Sequence, residues 1–303
     1  MFDVIIIGSG PAGLSAAIYG QRARLRTLVI EKQPMSGGQI LNTYEVDNYP
    51  GLPGLGGFEL GMKLRAHADS MEAQFVQAEV TKVEKIPEGY RIITNKDSFE
   101  AKTVVYATGA GHRKLNVPGE EELLGMGVSY CATCDGAFFR NKTTAVVGGG
   151  DVALEDALFL ARACKKVYLI HRRDELRGAK VLQERVFRTE NIEVLWNSQV
   201  EEIIGKEQVE QIRVYNNKEE TRQDLPVDGV FIAVGILPNS GLAEGVADLD
   251  QGGYIIAGED GKTSAPGVFA AGDVRTKQLR QVITAAADGA NVITSVENYL
   301  YSL

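Results

Sequence analysis

The sequence contains the same pattern of strand, glycine turn and helix twice, and this repeat constrains the fold more than any other feature. The first copy is DVIIIGSGPAG, residues 3–13, in which a buried strand leads into a tight turn and a helix that runs to about residue 24. The second copy is TTAVVGGGDVALEDALFLARACKKVYLIHRR, residues 143–173. One such turn could be an unligated glycine turn, but two in one chain predict two dinucleotide sites.

The small residues of each turn have separate tasks in a dinucleotide fingerprint. The first permits the turn, the second lets the backbone approach a pyrophosphate, and the third lets the helix pack on the strand. These residues are Gly8, Gly10 and Gly13 in the first copy and Gly148, Gly150 and Ala153 in the second. The helix N-terminus then attracts the phosphates.

The two copies differ where a ribose should lie. Glu31 and His171 each stand 23 positions after the first glycine, and a carboxylate there accepts hydrogen bonds from ribose hydroxyls. In the second copy HRRDELR brings Arg172, Arg173 and Arg177 together, and guanidinium groups pair with a 2'-phosphate. The second site is therefore predicted to hold NADPH, the alternative being a solvated basic face.

A third segment, GVFAAGDVRTKQLRQVITAAADGA at residues 267–290, reads as a strand, a loop and a helix of small residues. Asp273, after Gly272, is placed to accept a hydrogen bond from a ribityl hydroxyl, which favours a flavin. Each copy is also followed by a β-meander and an apolar strand, at residues 103–110 and 229–236.

The order of these segments predicts an α/β protein with two Rossmann-like nucleotide-binding domains, each with a three-layer ββα architecture. Because the flavin segment returns after the second copy, the NADPH domain is inserted into a discontinuous FAD domain. The expected FAD domain comprises residues 1–112 and 238–303, and the NADPH domain comprises residues 113–237.

Composition limits the classes of partner. The net charge of −8 and the pI of about 5.1, without a long basic run, argue against a nucleic acid partner. The N-terminus MFDVIIIGSG lacks a basic leader, and its apolar run is too short to cross a membrane. We therefore expect a cytoplasmic protein that does not bind a membrane.

The segment SYCATCDGAFF, residues 129–139, contains the cysteine pair Cys131 and Cys134. A structural staple is disfavoured in a reducing cytosol. A zinc site would need Cys164 and His171 as further ligands, and Cys164 lies on the apolar stripe of its helix. A redox-active CxxC pair is therefore preferred, and no metal is expected.

The residues after the pair leave two questions open. Asp135 is either the proton donor and acceptor for thiol-disulfide exchange or a plain turn residue before Gly136. Phe138 and Phe139 cannot both face one core from a regular strand. One of them is exposed for a protein partner, or the loop is tucked against the domain.

Four further motifs follow the first fingerprint in a fixed order: CATCDG, GGGDVALEDA, HRRDELR and AAGDV…RQ. With these motifs the chain closely resembles the low-molecular-weight thioredoxin reductases of bacteria. The resemblance covers essentially the whole chain. It implies a homodimeric flavoprotein that passes electrons from NADPH through FAD and the cysteine pair to the disulfide of thioredoxin or a thioredoxin-like protein. It also implies a domain that rotates about crossings near His112 and Pro238.

The resemblance implies roles for individual residues. Cys131 attacks thioredoxin, Cys134 faces the flavin, Asp135 is the acid-base group, and Phe138 and Phe139 are offered to thioredoxin. The residues that match the family's FAD contacts are Gly8, Ser9, Gly10, Pro11, Ala12, Glu31, Gly38, Gln39, Asn48, Gly272, Asp273, Arg280 and Gln281. Those that match its NADPH contacts are Gly148, Gly150, Asp151, Val152, Ala153, Glu155, His171, Arg172, Arg173 and Arg177.

Val152 departs from the family pattern, which has a small hydroxyl residue at this position, and the lost hydroxyl weakens the expected hold on NADPH. Three other functions fit the same motifs less well: a ferredoxin-dependent thioredoxin reductase, a flavin dithiol oxidase of the same fold, and a flavin-binding redox sensor without turnover. The first two would not need the arginines of HRRDELR.

Overall fold

The computed structural model describes residues 1–43, 46 and 48–303. The chain forms two compact units. Unit 1 comprises Met1–Gly111 and Leu237–Leu303, and unit 2 comprises His112–Ile236. The predicted domain boundaries, at 112/113 and 237/238, lie within one residue of these limits.

Strands and helices alternate in both units. The strands are β1 (Phe2–Ile7), β2 (Thr27–Glu31), β3 (Gln74–Gln77), β4 (Val80–Ile86), β5 (Gly89–Thr94), β6 (Ser98–Tyr106), β7 (Ala110–His112), β8 (Val128–Ser129), β9 (Thr143–Gly148), β10 (Lys166–Ile170), β11 (Ile192–Leu195), β12 (Ser198–Gly205), β13 (Val209–Asn216), β14 (Thr221–Pro226), β15 (Gly229–Ala233), β16 (Ile236–Pro238) and β17 (Val268–Ala270). The α-helices are α1 (Pro11–Arg22), α2 (Gly57–Ser70), α3 (Ala132–Asp135), α4 (Asp151–Ala161), α5 (Lys180–Arg188) and α6 (Val282–Tyr301). Short 3-10 helices lie at Gly38–Asn42, Gly136–Phe139 and Gly241–Ala243.

Unit 1 is built on a sheet in the order β3-β2-β1-β6-β5-β4, and β17 also pairs with β6. The pairs from β3 to β6 and the β6–β17 pair are parallel, whereas β4, β5 and the first half of β6 form the predicted antiparallel meander. β1 is buried along Val4–Ile7, as its apolar run predicts. Its carboxyl end therefore projects the first glycine turn from a rigid sheet.

Helices α1 and α6 cover the same part of unit 1. Small residues allow this close approach, because a Cβ at Gly289 of α6 would lie 2.2 Å from the Ala12 carbonyl oxygen of α1. Ala12, Ala16, Val292 and Val296 share one buried cluster beneath the two helices. The predicted helix of small residues is thus a packing partner of the helix that opens at the first turn.

Unit 2 repeats this plan with a parallel sheet in the order β11-β10-β9-β15-β8. Its meander differs from that of unit 1, because β12, β13 and β14 form a separate antiparallel sheet. β9 carries the second glycine turn at its carboxyl end, and α4 begins directly after that turn. Among the described residues no helix combines the length and hydropathy that a membrane span requires.

Candidate functional site

The cysteine pair lies just after β8, at the start of the short helix α3. Cys131 and Cys134 form a disulfide, with their Cα atoms 5.3 Å apart. The backbone N–H groups of Cys134 and Asp135 donate to the Cys131 carbonyl at 3.3 and 3.1 Å, so the bridge is closed by one helical turn. Both cysteines are partly exposed. The pair is therefore not sealed inside the core of unit 2.

Asp135 lies beside the disulfide with its carboxyl group turned toward the preceding strand. The Ser129 hydroxyl donates to Asp135 Oδ2 at 2.5 Å, and within the described structure Asp135 Oδ1 is buried without a hydrogen-bond partner. Burial raises the pKa of Asp135, and the hydrogen bond from Ser129 opposes part of that rise. A carboxyl group with a raised pKa is better suited to proton exchange than an ordinary surface aspartate.

Two hydroxyl residues beside the pair were missed by the sequence analysis. Buried Ser129 also accepts a hydrogen bond from the Cys131 backbone N–H at 3.0 Å, so one side chain joins Asp135 to the cysteine turn. Thr133 Oγ1 lies 3.4 Å from Cys131 Sγ. The only sequence signal for either residue is a hydroxyl group next to a CxxC pair, which is too common to single them out.

The two adjacent phenylalanines have opposite environments. Phe138 is 40% exposed, whereas Phe139 is 7% exposed and packs edge-on against Phe231 with ring centroids 5.2 Å apart. Both residues lie in the 3-10 helix at Gly136–Phe139 and not on a strand. Of the two alternatives left open, the one with an exposed phenylalanine agrees with the structure. The expectation from the resemblance that both are offered to thioredoxin is wrong for Phe139, because its ring fills the core of unit 2.

Cys164 does not join the cysteine pair. It is a buried free thiol in the same cluster as Ala157 and Leu160, and burial raises its pKa. In the part of the chain that the structure describes, no group of three or more histidine, cysteine or acidic side chains is arranged to hold a metal ion.

The first glycine turn is set by backbone conformation and close packing. Gly8 has φ of 104°, and a Cβ there would lie 2.5 Å from the Ala107 carbonyl oxygen. A Cβ at Gly13 would lie 2.0 Å from the Gly8 carbonyl oxygen. Gly38 closes the rim of the turn, since its own Cβ would lie 3.3 Å from the Gly10 Cα atom. The predicted residues around the α1 N-terminus are thus held together.

Glu31 holds the first turn from the end of β2. Its Oε2 atom accepts hydrogen bonds from the Ser9 backbone N–H at 2.7 Å and from the Ser9 hydroxyl at 2.8 Å, and Oε1 accepts from the Gln33 N–H at 2.9 Å. Oε2 thus uses both of its lone pairs, whereas Oε1 keeps one lone pair for a further donor. The residue predicted to meet a ribose therefore also positions the backbone that meets the phosphates.

The loop after β17 brings Gly272 and Asp273 to the same turn. A Cβ at Gly272 would lie 2.9 Å from Ala12 Cβ. Within the described structure, Asp273 Oδ1 is buried without a partner, and burial raises the pKa of Asp273. A buried acceptor beside a glycine turn and a helix N-terminus fits the ribityl chain and pyrophosphate of FAD.

A buried ion cluster supports this loop and was not predicted. Asp288 of α6 accepts hydrogen bonds from the Gly272 N–H at 2.8 Å, from Arg275 at 2.6 and 2.8 Å, and from Lys277 at 2.9 Å. The side chains of these three charged residues are at most 5% exposed. The only sequence signal for the cluster is an aspartate within a helix of small residues, Asp288, that follows the basic residues Arg275 and Lys277.

The remaining residues expected near the flavin lie on the edges of unit 1. Gln39 is exposed in the 3-10 helix at Gly38–Asn42. Asn48 Nδ2 donates to Gln281 Oε1 at 2.9 Å, which joins two of the expected flavin contacts across the sequence. The Arg280 guanidinium lies over the Tyr254 ring at 4.2 Å, and within the described structure its Nε is buried without a partner.

The second turn repeats the backbone of the first. Gly148 has φ of 157°, and Gly150 precedes α4 in an extended conformation, as Gly10 precedes α1. Asp151, Val152 and Glu155 are exposed on the first turns of α4. Asp151 Oδ1 accepts a hydrogen bond from the Ala179 N–H at 2.6 Å, which ties the start of α4 to the loop after the arginines.

Arg172, Arg173 and Arg177 are exposed on the loop that follows β10. Among the described residues, no carboxylate forms an ion pair with any of these guanidinium groups. His171 is 5% exposed instead, with Nδ1 3.1 Å from the Gly148 carbonyl and Nε2 3.0 Å from the Glu175 carbonyl. Burial and the Arg177 and Arg173 charges lower the pKa of His171, and the two carbonyl contacts oppose that change.

A known protein family matches the part of the chain that contains the two glycine turns and the disulfide. The family model described as pyridine nucleotide-disulphide oxidoreductase matches residues 2–289. The chain belongs to this family. The predicted class of enzyme, a flavoprotein disulfide oxidoreductase, is thereby confirmed.

Individual members of the family are similar over the whole chain. Thioredoxin reductase of Listeria innocua is 44% identical over 304 aligned positions, covering 100% of this chain and 95% of the relative. Thioredoxin reductase of Treponema pallidum is 45% identical, with 100% and 98% covered. The crystal structure of thioredoxin reductase from Streptococcus pyogenes superposes with a TM-score of 0.93 at 44% identity, covering 100% of this chain and 99% of that one. The predicted fold class and family are confirmed.

Proposed function

We propose that the chain is an NADPH-dependent thioredoxin reductase, with FAD bound in unit 1 and NADPH in unit 2. The observation that carries the proposal is the partly exposed Cys131–Cys134 disulfide with the Asp135 carboxyl group beside it. It lies in the unit whose glycine turn is flanked by arginines that, within the described structure, have no carboxylate partner. A metal clamp or a structural staple would not need a carboxyl group with a raised pKa.

In unit 1, Gly10 and the α1 N-terminus are proposed to hold the FAD pyrophosphate, Glu31 its ribose and Asp273 its ribityl chain. The chemistry that FAD would supply there is electron transfer between NADPH and the cysteine pair. The Asp288 cluster fixes the Gly272 backbone, so Asp273 is offered at a set position. Gln39, Asn48, Arg280 and Gln281 are proposed to complete the flavin contacts.

In unit 2, the Gly148–Gly150 turn and the α4 N-terminus are proposed to hold the NADPH pyrophosphate. Arg172, Arg173 and Arg177 would pair with the 2'-phosphate, since guanidinium groups form bidentate charge-assisted hydrogen bonds with phosphate. Val152 is 53% exposed on the first turn of α4 and offers no hydroxyl group. The site therefore depends on charge and backbone groups more than on side-chain hydroxyls.

The cysteines carry out the exchange with thioredoxin. In the reduced pair, the Cys131 thiolate attacks one sulfur of the thioredoxin disulfide and the other sulfur leaves as a thiolate. Cys134 then attacks Cys131 in the mixed disulfide, which restores the Cys131–Cys134 bond and releases dithiol thioredoxin. Thr133 Oγ1, 3.4 Å from Cys131 Sγ, can donate to the Cys131 thiolate. Asp135 takes and returns the proton that the thiols lose.

An anaerobic visible spectrum of the purified protein tests the whole proposal. A slight excess of NADPH should bleach the flavin band, and oxidised bacterial thioredoxin should restore it. A flavin that NADPH leaves unbleached would contradict the electron donor. A flavin that bleaches but is not restored by thioredoxin would contradict the acceptor.

The order of the cysteines has its own test. A thioredoxin that keeps only its exposed cysteine, activated with thionitrobenzoate, should form a disulfide-linked complex with the Cys134→Ser variant and release one thionitrobenzoate. The Cys131→Ser variant should react far more slowly. Equal rates for the two variants would contradict the assignment of Cys131 as the attacking residue.

We also propose that the enzyme is a cytoplasmic homodimer, as the resemblance implies. Sedimentation equilibrium of the flavin-loaded protein measures the mass directly. A mass of one chain at micromolar concentration would contradict the dimer.

A further inference from the structure

We propose that His171 is a positioning residue that sets the preference for NADPH over NADH, without contacting the nucleotide itself. The inference rests on the proposed NADPH site in unit 2. It follows from where the imidazole ring lies, between the glycine turn and the arginine loop, and from what else holds that loop.

The ring of His171 contacts two backbone segments that are distant from each other in sequence. Nδ1 lies 3.1 Å from the carbonyl of Gly148, in the turn proposed to meet the pyrophosphate. Nε2 lies 3.0 Å from the carbonyl of Glu175, between Arg173 and Arg177. Carbonyl oxygens only accept hydrogen bonds, so a neutral imidazole donates to one of them and an imidazolium donates to both.

The space for this ring is provided by the turn. A Cβ at Gly149 would lie 2.2 Å from His171 Nδ1, so any side chain at that position would displace the imidazole. The ring also packs edge-on against Trp196, with centroids 6.4 Å apart. At 5% exposure it is too buried to serve as a surface group of a basic patch.

Other hydrogen bonds hold the ends of the arginine loop but not its centre. The carbonyls of Arg172 and Arg173 accept from Asn217 and from the Asn197 N–H, both at 3.1 Å. The N–H groups of Arg177 and Gly178 donate to the Gly149 carbonyl at 2.7 and 3.1 Å. For Glu175, within the described structure, the contact with His171 Nε2 ties its carbonyl to the turn, and a ring with its proton on Nε2 donates this bond.

The consequence is a fixed spacing between the pyrophosphate turn and the guanidinium groups that recognise the 2'-phosphate. NADH lacks this phosphate, so loss of the spacing should affect NADPH more strongly. A purely structural role would instead weaken both nucleotides by the same factor.

The test uses the flavin-loaded protein and two fragments, 2',5'-ADP and 5'-AMP, which differ in the 2'-phosphate. Titration calorimetry measures the ratio of their affinities in the wild type and in His171→Phe, which retains a ring but has no donor. We expect the preference for 2',5'-ADP to fall about tenfold, and the kcat/KM ratio of NADPH to NADH to fall in parallel. Trp196→Phe, which changes the packing on the same ring, is the matched control and should keep the wild-type ratio.

His171→Asn serves if the phenylalanine does not fold. A variant that folds and keeps the wild-type preference for 2',5'-ADP overturns the inference, and so does an equal loss of both fragments. A wild type that binds both fragments equally would overturn the proposed NADPH site and the inference with it. The failure of the function and the failure of the inference are therefore separate results.

Discussion

The two glycine turns have the same backbone but are held by different side chains. In unit 1 the residue 23 positions after the first glycine is Glu31, which accepts hydrogen bonds from the backbone and hydroxyl of Ser9. In unit 2 the equivalent residue is His171, and Gly149 stands in place of Ser9. The serine is lost where the histidine ring needs its space.

The replacement of Ser9 and Glu31 by Gly149 and His171 changes the charge that each turn offers to a nucleotide. Glu31 combines support of the turn with a negative charge where a ribose would lie. In the proposed NADPH site His171 keeps the supporting role, and the proposed recognition of charge passes to Arg172, Arg173 and Arg177 on the next loop. On this proposal one backbone design serves two nucleotides, because support and recognition belong to different residues in the second copy.

The largest expected effect comes from the feature that has no counterpart in unit 1, the cysteine pair. Cys131→Ser or Cys134→Ser should reduce NADPH-dependent thioredoxin reduction more than a thousandfold, because a single thiol cannot complete the exchange. Both variants should retain FAD, which is proposed to bind unit 1. The measurements are steady-state turnover with thioredoxin and the flavin content of the purified variants.

Wild-type turnover in either serine variant would refute the dithiol mechanism. Cys164→Ser is the matched control, since it changes the remaining thiol, which is buried in the core of unit 2. It should keep thioredoxin reduction.

The second effect concerns Asp135, whose pKa is raised by burial. Asp135→Asn should lower thioredoxin reduction about 100-fold, because the amide cannot transfer the proton that the thiols exchange. Reduction of the flavin by NADPH should change much less. Stopped-flow absorbance separates the two half-reactions, and an equal slowing of both would indicate that Asp135 only maintains the fold.

The third effect separates the two turns by charge. The double variant Arg172→Ala, Arg173→Ala should bind NADPH about 10- to 100-fold more weakly, because hydrogen bonds to a charged phosphate are lost. NADH should weaken much less, and the flavin content should not change. Steady-state kinetics with both nucleotides measures this, with Arg185→Ala on the adjacent helix α5 as a control for net charge. Equal losses for NADPH and NADH would contradict the 2'-phosphate assignment.

The sequence predicts those parts of the molecule that depend on local backbone requirements. The glycine turns, the order of strands and helices, and the cysteine pair follow from residue types at fixed spacings, because a tight turn or a close helix approach tolerates few side chains. The arginine loop is also predictable from sequence, because several basic residues come directly after an apolar strand.

The remaining contacts depend on residues that are distant in sequence. Phe139 is buried because Gly229 leaves space for its ring, where a Cβ would lie 2.2 Å away. Asp288 meets Arg275 only because α6 packs beside the loop after β17. The bond from Ser129 to Asp135 likewise depends on the turn between them. Residue types and spacings alone do not specify such partners.

The smallest effect concerns the helices that follow the two turns. Eight positions after the first glycine, α1 has the buried Ala16 and α4 has Asp156. Burial, together with the nearby charge of Glu155, raises the pKa of Asp156 to about 7. Since its ordinary value is 3.8, the folded state binds this proton more tightly than the unfolded state does. Asp156 therefore contributes stability at low pH that is lost as the pH rises from about 4 to about 7.

Asp156→Ala makes α4 resemble α1 and removes this dependence. At pH 8 it should increase the free energy of unfolding by about 1–3 kcal/mol and the thermal midpoint by several degrees, because the wild type must then hold a charged carboxylate in a half-buried position. The gain should shrink as the pH falls and should be lost below about pH 4. Thermal unfolding of both proteins across this pH range checks the sign, and Glu155→Ala, which removes only the neighbouring charge, should reduce the pH dependence in part. A gain independent of pH would mean that helix propensity, and not the buried carboxyl group, distinguishes the two helices.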